Sequence, residues 1–123
     1  MIPRSGLVLV VAAAAMIGCG SATDDRPAKW SFISATITEP SCATVNCHSN
    51  IANRAAVDLA DRATGYSDLI NRGFVLPGDT TGSSTILKLM RAEGSLRMPP
   101  DAPLPEADIK LIDLWIQMGA KNE

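Results

Sequence analysis

The run Cys42-Ala43-Thr44-Val45-Asn46-Cys47-His48 places the chain's sole histidine directly after one cysteine, with four residues separating that cysteine from another. Two thiols that can add to the vinyl groups of a porphyrin, beside an imidazole that can bind its iron, are the chemistry of c-type haem attachment. The common form has two residues between the cysteines; here there are four. A small chain that holds haem in this way has to wrap its core around the pigment, so no other stretch constrains the fold as strongly. Two other uses of the same residues stay open. Cys42 and Cys47 could close a small disulfide loop with His48 merely adjacent. A zinc site is the weaker alternative, because Cys42, Cys47 and His48 supply three of the four ligands a structural site needs.

The N-terminus reads as a lipoprotein-type signal peptide over residues 1–18. Arg4 forms a short charged region, Leu7 to Ile17 an apolar one, and Gly18-Cys19-Gly20-Ser21 a small-residue cleavage site. An apolar run of roughly a dozen residues, at about 1.5 Å each, is too short to span a bilayer as a helix. Met16-Ile17-Gly18-Cys19 resembles a lipobox, in which Cys19 becomes the lipidated first residue; ordinary secretory cleavage nearby is the alternative. Gly20 and Ser21, in place of an acidic residue, fit export to the outer membrane, so the expected location is the periplasmic side of a bacterial membrane. Cysteine arithmetic agrees: the chain has three cysteines, lipid takes Cys19, and haem or a disulfide takes Cys42 and Cys47. Residues 19–28 then form a tether and 29–123 one domain, long enough to bury about two-thirds of its unfolded surface. The formal charge of −2, with no basic block, argues against a nucleic-acid partner.

Along the domain, apolar residues recur at helical spacing. Trp30, Ile33 and Ile37 form one stripe, and Pro40 disfavours helical geometry at Glu39, which predicts a helix ending just before the cysteine loop. Val57, Leu59, Ala63, Tyr66, Leu69 and Ile70 predict a second helix, capped by Asp58 or Asp61 and ended at Gly73, with Gly65 weakening it. Ser and Thr residues from Thr81 to Ser84 offer caps for a third, carrying Ile86, Leu87, Leu89 and Met90. Arg97 to Pro105 contains four prolines and predicts a stiff extended loop. Glu106 and Asp108 open the last helix, which carries Ile109, Ile112, Trp115 and Ile116. Strand-like alternation is nearly absent, so the expected fold class is all-α.

A haem that only moves electrons needs a second axial ligand besides His48. Without another histidine, the candidates in the mature chain are Met90, Met98 and Met118. Met90 and Met118 lie in apolar helical stretches and read as core filler. Met98 precedes Pro99 and Pro100, which can aim a thioether from a stiff loop. A neutral soft donor favours reduced iron, so the pair His48 and Met98 should raise the reduction potential. A carbonyl should hold the far nitrogen of His48 in one tautomer. Trp30 and Trp115 are expected to join the two terminal helices rather than to touch the porphyrin, and Tyr66 to reach a haem propionate or to satisfy its hydroxyl at the surface.

The order of these elements carries a family resemblance. A tryptophan-bearing first helix, Cys42 to His48, Pro77-Gly78-Asp79 with Ser84 and Leu87, Met98-Pro99-Pro100, and the ending Trp115-Ile116-Gln117-Met118-Gly119-Ala120 resemble the small monohaem cytochromes c of the planctomycete and myxobacterial type. The resemblance implies a cytochrome c-like fold in which first and last helices cross around one covalent haem c, with His48 and Met98 on opposite faces of the iron. The widened cysteine gap departs from the usual motif, and Pro105 stands where a capping Ser is usual.

The function this implies is a lipid-anchored periplasmic electron carrier that is not an enzyme, with redox proteins and, through Cys19, a membrane as partners. The competing classes are a haem sensor or weak peroxidase, which requires Met98 to be off the iron, and a disulfide-stapled interaction module without haem. Hydrolase and phosphate-binding readings have no motif to support them.

Overall fold

The computed structural model of the protein describes residues 23–123. The segment read as a signal peptide at 1–18, Cys19 read as the lipidated residue, and the start of the segment read as a tether lie outside the described residues. Among those described, every regular element is a helix, as the sequence pattern requires of an all-α chain, and no helix is long and apolar enough to cross a membrane.

The first helix, α1, is built from three contiguous segments: α-helical Trp30–Ile33, π-helical Ser34–Thr38 and α-helical Glu39–Cys42. It therefore does not stop at Pro40 but runs into Cys42. Proline lacks the N–H of a helical turn and its ring crowds the turn before it. The wider π turn gives that ring room, and such turns cluster at functional sites. The turn is fixed by Ser34, whose buried hydroxyl donates to Glu39 Oε1 at 2.8 Å, and by the Glu39 N–H, which reaches back to the Ser34 carbonyl.

Helix α2, Arg62–Asn71, starts later than the apolar spacing suggests. Val57 and Leu59 lie before it in irregular chain, yet both are buried; their burial, and not a helical face, explains their apolar character. Of the two candidate caps, Asp61 is used: its side chain accepts from the Thr64 N–H at 2.8 Å. Gly73 ends the helix with φ 73°. Gly65, unfavourable by propensity, is a packing requirement. A Cβ there would lie 3.2 Å from Leu59 Cδ2 and 3.4 Å from Trp30 Cζ2.

Helix α3, Thr85–Arg91, and helix α4, Glu106–Gln117, complete the set. Helices α1 and α4 meet through Trp30 and Trp115, stacked with ring centroids 5.2 Å apart and planes 27° apart. Tyr66 stands edge-on to Trp115 at 6.4 Å. All three polar ends are satisfied by backbone carbonyls: Trp30 by Arg62, Trp115 by Lys121, and the Tyr66 hydroxyl by Ala120 at 2.9 Å. Tyr66 thus serves the closing of the C-terminus onto α2. The first turn of α1 is also tied to residue 123, because the Ser31 N–H donates to the Glu123 carbonyl. Arg26 pairs with both Asp24 and Asp108, so the last part of the segment read as a tether is docked against α4.

Before α3, Asp79 organises the turn. Its carboxylate accepts from the Thr81 hydroxyl and N–H and from the Ser84 N–H and hydroxyl, and these bonds hold its pKa far below the usual carboxylate range. Ser84 in turn accepts from the Leu76 N–H at 3.0 Å, which ties the turn to the chain leading into α3. A depressed folded pKa means the stabilisation is complete above the unfolded value of about 4 and disappears as pH falls below it. Urea denaturation is expected to show the native protein more stable than Asp79→Asn at about pH 6, with the gap closing toward about pH 2. A gap that stays constant over that range would assign the effect to shape alone.

Candidate functional site

Two adjoining hollows meet at Cys42, His48, Ala55 and Met98, which line both. The inner one, about 130 Å³, is walled by apolar side chains from every side of the fold, among them Leu59, Leu69, Phe74, Ile86, Met90 and Ile112. The outer one, about 490 Å³, has a polar rim that includes Ser41, Asn46, Arg54 and Asp101, with Cys47, Pro99 and Pro100. An apolar chamber opening through a few polar groups is the usual form of a cofactor or ligand cleft. The fold therefore brings Cys42, Cys47, His48 and Met98 to one cleft, although they come from the end of α1, the loop that follows it and the proline segment.

Helix α1 delivers Cys42 at its last residue, and the chain then turns sharply. The His48 N–H donates to the Cys42 carbonyl at 3.1 Å, and the His48 carbonyl accepts from the Leu59 N–H at 2.8 Å. The imidazole is fixed as well: Nδ1 lies 2.9 Å from the Arg54 carbonyl oxygen. A carbonyl can only accept, so Nδ1 carries a proton, and in the neutral ring the lone pair is then at Nε2, free for a ligand's role. The sequence calls for a carbonyl at this nitrogen; the structure identifies it as that of Arg54.

Around Arg54 the backbone is bent back by left-handed residues without the glycines that suit them. Asn53, Ala55 and Ala56 have φ of 42°, 56° and 54°. Such geometry costs about 1–2 kcal/mol per residue and collects where a fold has to aim functional groups. No local pattern marks these alanines in the sequence.

Cys42 and Cys47 are both free thiols. Burial, with a smaller push from Cys47, raises the Cys42 thiol to about 11, so it is protonated at neutral pH. A thiolate is the reactive form in disulfide exchange, so burial slows oxidation at Cys42. Among the described residues, no group of three or more His, Cys, Asp or Glu side chains is placed to hold a metal ion.

Met98 projects from the proline segment, with its N–H donating to the Leu89 carbonyl at 3.0 Å at the end of α3. Arg97 steadies the same turn by donating to the carbonyls of Pro99 and Pro100. Of the other methionines, Met90 is buried as core and also lines the inner hollow. Met118, read as core filler, is instead 59% exposed at the end of α4, because the last turn of that helix points its side chain away from the domain. Neither tryptophan lines the cleft.

No protein-family model matches the chain, and neither the curated proteins nor the solved structures searched include a match.

Proposed function

We propose that the protein is a lipid-anchored periplasmic electron carrier with a cytochrome c-like fold, holding one covalent haem c through Cys42 and Cys47. His48 and Met98 would bind its iron, Cys19 would carry the lipid anchor, and redox proteins would be its partners. The observation that carries this reading is the hydrogen bond from His48 Nδ1 to the Arg54 carbonyl, made inside a cleft that also gathers Cys42, Cys47 and Met98. A histidine aimed in this way has one nitrogen prepared to bind a metal.

The donor set and the walls fit the group. Apolar side chains of the inner hollow suit the hydrocarbon face of a macrocycle, and the polar rim suits its charged edge. Bound haem supplies a one-electron couple. The chain's own residues do the rest. Cys42 and Cys47 would hold the group in place, His48 would orient it, and the Met98 thioether, a soft neutral donor, would favour its reduced form. Leu69, Phe74 and Ile112 keep water from the site, which further tunes its potential.

The test is expression of the full chain with periplasmic haem-attachment machinery, followed by denaturing electrophoresis with a haem stain and by intact-mass analysis. The expected product keeps its colour through denaturation and carries the mass of one haem besides its acyl groups. Polypeptide plus acyl groups with nothing heavier would overturn the assignment.

A further inference from the structure

Four residues between the thiols leave the loop more conformations than two would, so each bond that ties its backbone narrows where the two thiols can sit. Backbone bonds close part of it: the Cys47 N–H donates to the Thr44 carbonyl at 2.9 Å and the His48 N–H to the Cys42 carbonyl at 3.1 Å. The next two carbonyls are taken by side chains from downstream. Ser49 Oγ donates to the Val45 carbonyl at 3.1 Å, and Arg54 Nε donates to the Asn46 carbonyl at 2.6 Å. Ser49 is buried, and its oxygen also accepts from the N–H groups of Ile51 and Ala52, so its one proton is directed at Val45.

Arg54 does more than hold Asn46. Its N–H donates to the Cys47 carbonyl at 3.2 Å, and its carbonyl accepts from His48 Nδ1. One residue thus grips Asn46, Cys47 and His48 in succession. The left-handed residues Asn53 and Ala55 on either side turn its backbone toward the loop. A side chain is the only part of this grip that substitution can remove while leaving the backbone bonds possible.

We propose that Arg54, seconded by Ser49, is the positioning residue that closes the four-residue loop so that both thiols face a single macrocycle. The inference rests on the haem reading above. Each attachment adds an S–H across a vinyl C=C: a C–S bond forms, the thiol proton ends on the neighbouring carbon, and nothing leaves. With the loop unclamped, one thiol reacts while the other is out of reach, and the product keeps one vinyl and one free thiol.

Single and double attachment have the same mass, so the test counts thiols. The haem-bearing full chain is denatured, alkylated with iodoacetamide and weighed, and the pyridine haemochrome is recorded, whose visible band moves to longer wavelength for each vinyl left unreacted. The wild-type chain is expected to take no alkyl group at Cys42 or Cys47. Arg54→Met, which keeps the length and removes the donor, is expected to raise the singly linked fraction several-fold with the matching band shift. Arg54→Gln places an amide nitrogen where Nε stood and is expected to restore double linkage. Double linkage in Arg54→Met equal to wild type, or failure of Arg54→Gln to differ from Arg54→Met, would overturn the clamp. If Arg54→Met yields no haem protein, Ser49→Ala decides by the same count: more singly linked chains support the clamp, and the wild-type pattern overturns it. Wild-type chain without covalent haem is a separate result and overturns the haem reading together with the clamp built on it.

Discussion

Trp115→Ala is expected to destabilise the domain by about 4 kcal/mol, the usual cost of emptying a large aromatic position in a packed core. Trp115 is 2% exposed and stacks on Trp30, with Tyr66 edge-on to it. Its removal breaks the contact between α1 and α4 and leaves the Lys121 carbonyl without its donor. Stacked aromatic pairs add about 0.5–1.5 kcal/mol to the area term, which places the cost toward the upper part of the range. Small domains have about 5–15 kcal/mol in total, so the variant should be near its folding threshold at room temperature. Its thermal midpoint should fall by roughly 20 °C. Leu114→Ala, one position away on the same helix but 47% exposed, is expected to change stability by no more than about 0.5 kcal/mol. Equal effects from the two substitutions, measured by chemical denaturation, would show that the aromatic seam does not hold the terminal helices together.

The parts of this fold that were legible in the sequence are those decided by local chemistry. The stripe of Trp30, Ile33 and Ile37, the Asp61 cap, the left-handed Gly73 and the acidic opening of α4 each depend on a few neighbouring residues, and each is where the pattern places it. What failed depends on tertiary contacts. Pro40 reads as a stop, but the π turn behind it lets the helix run on to Cys42, and the Ser34 to Glu39 bond that fixes that turn is one of many pairings the sequence permits. Gly65 reads as a weakness until Leu59 and Trp30 are seen against it. Val57 and Leu59 match helical spacing because burial demands apolar residues in irregular chain too.

The candidate site follows the same division. Cys42, Cys47, His48 and Met98 announce themselves by side-chain chemistry, and the structure brings them to one cleft. Arg54 does not, since two of its three bonds use backbone atoms that every residue has. Its third looks, in sequence, like a solvated surface charge. Only the left-handed turn through Asn53 and Ala55 gives it this role, and alanine carries no signal of that geometry.

If Met98 binds haem iron as proposed, Met98→Ala in the haem-loaded protein is expected to convert low-spin iron to high-spin and to lower the potential by a sizeable part of the roughly 0.8 V that axial ligands command. A thioether donates softly and carries no charge, so its loss removes the preference for reduced iron. The substitution should leave the loop in place, because Met98 is held through its N–H on the Leu89 carbonyl and the turn is steadied by Arg97. Met90 is the rival sulfur, since it also lines the inner hollow. Met90→Leu, nearly volume-conserving and costing less than about 1.5 kcal/mol, is expected to leave spin state and potential unchanged, as is Met118→Ala at the exposed end of α4. Carbon monoxide separates electron carriage from sensing. Met98 is 38% exposed, and a weakly held ligand at such a position could be displaced. The reduced wild-type protein is expected to refuse the gas at native pH, and Met98→Ala to bind it. If wild type binds carbon monoxide as readily as the variant, or if Met98→Ala stays low-spin with an unchanged potential, Met98 is not on the iron and a haem sensor or weak peroxidase becomes the better account of the same cleft.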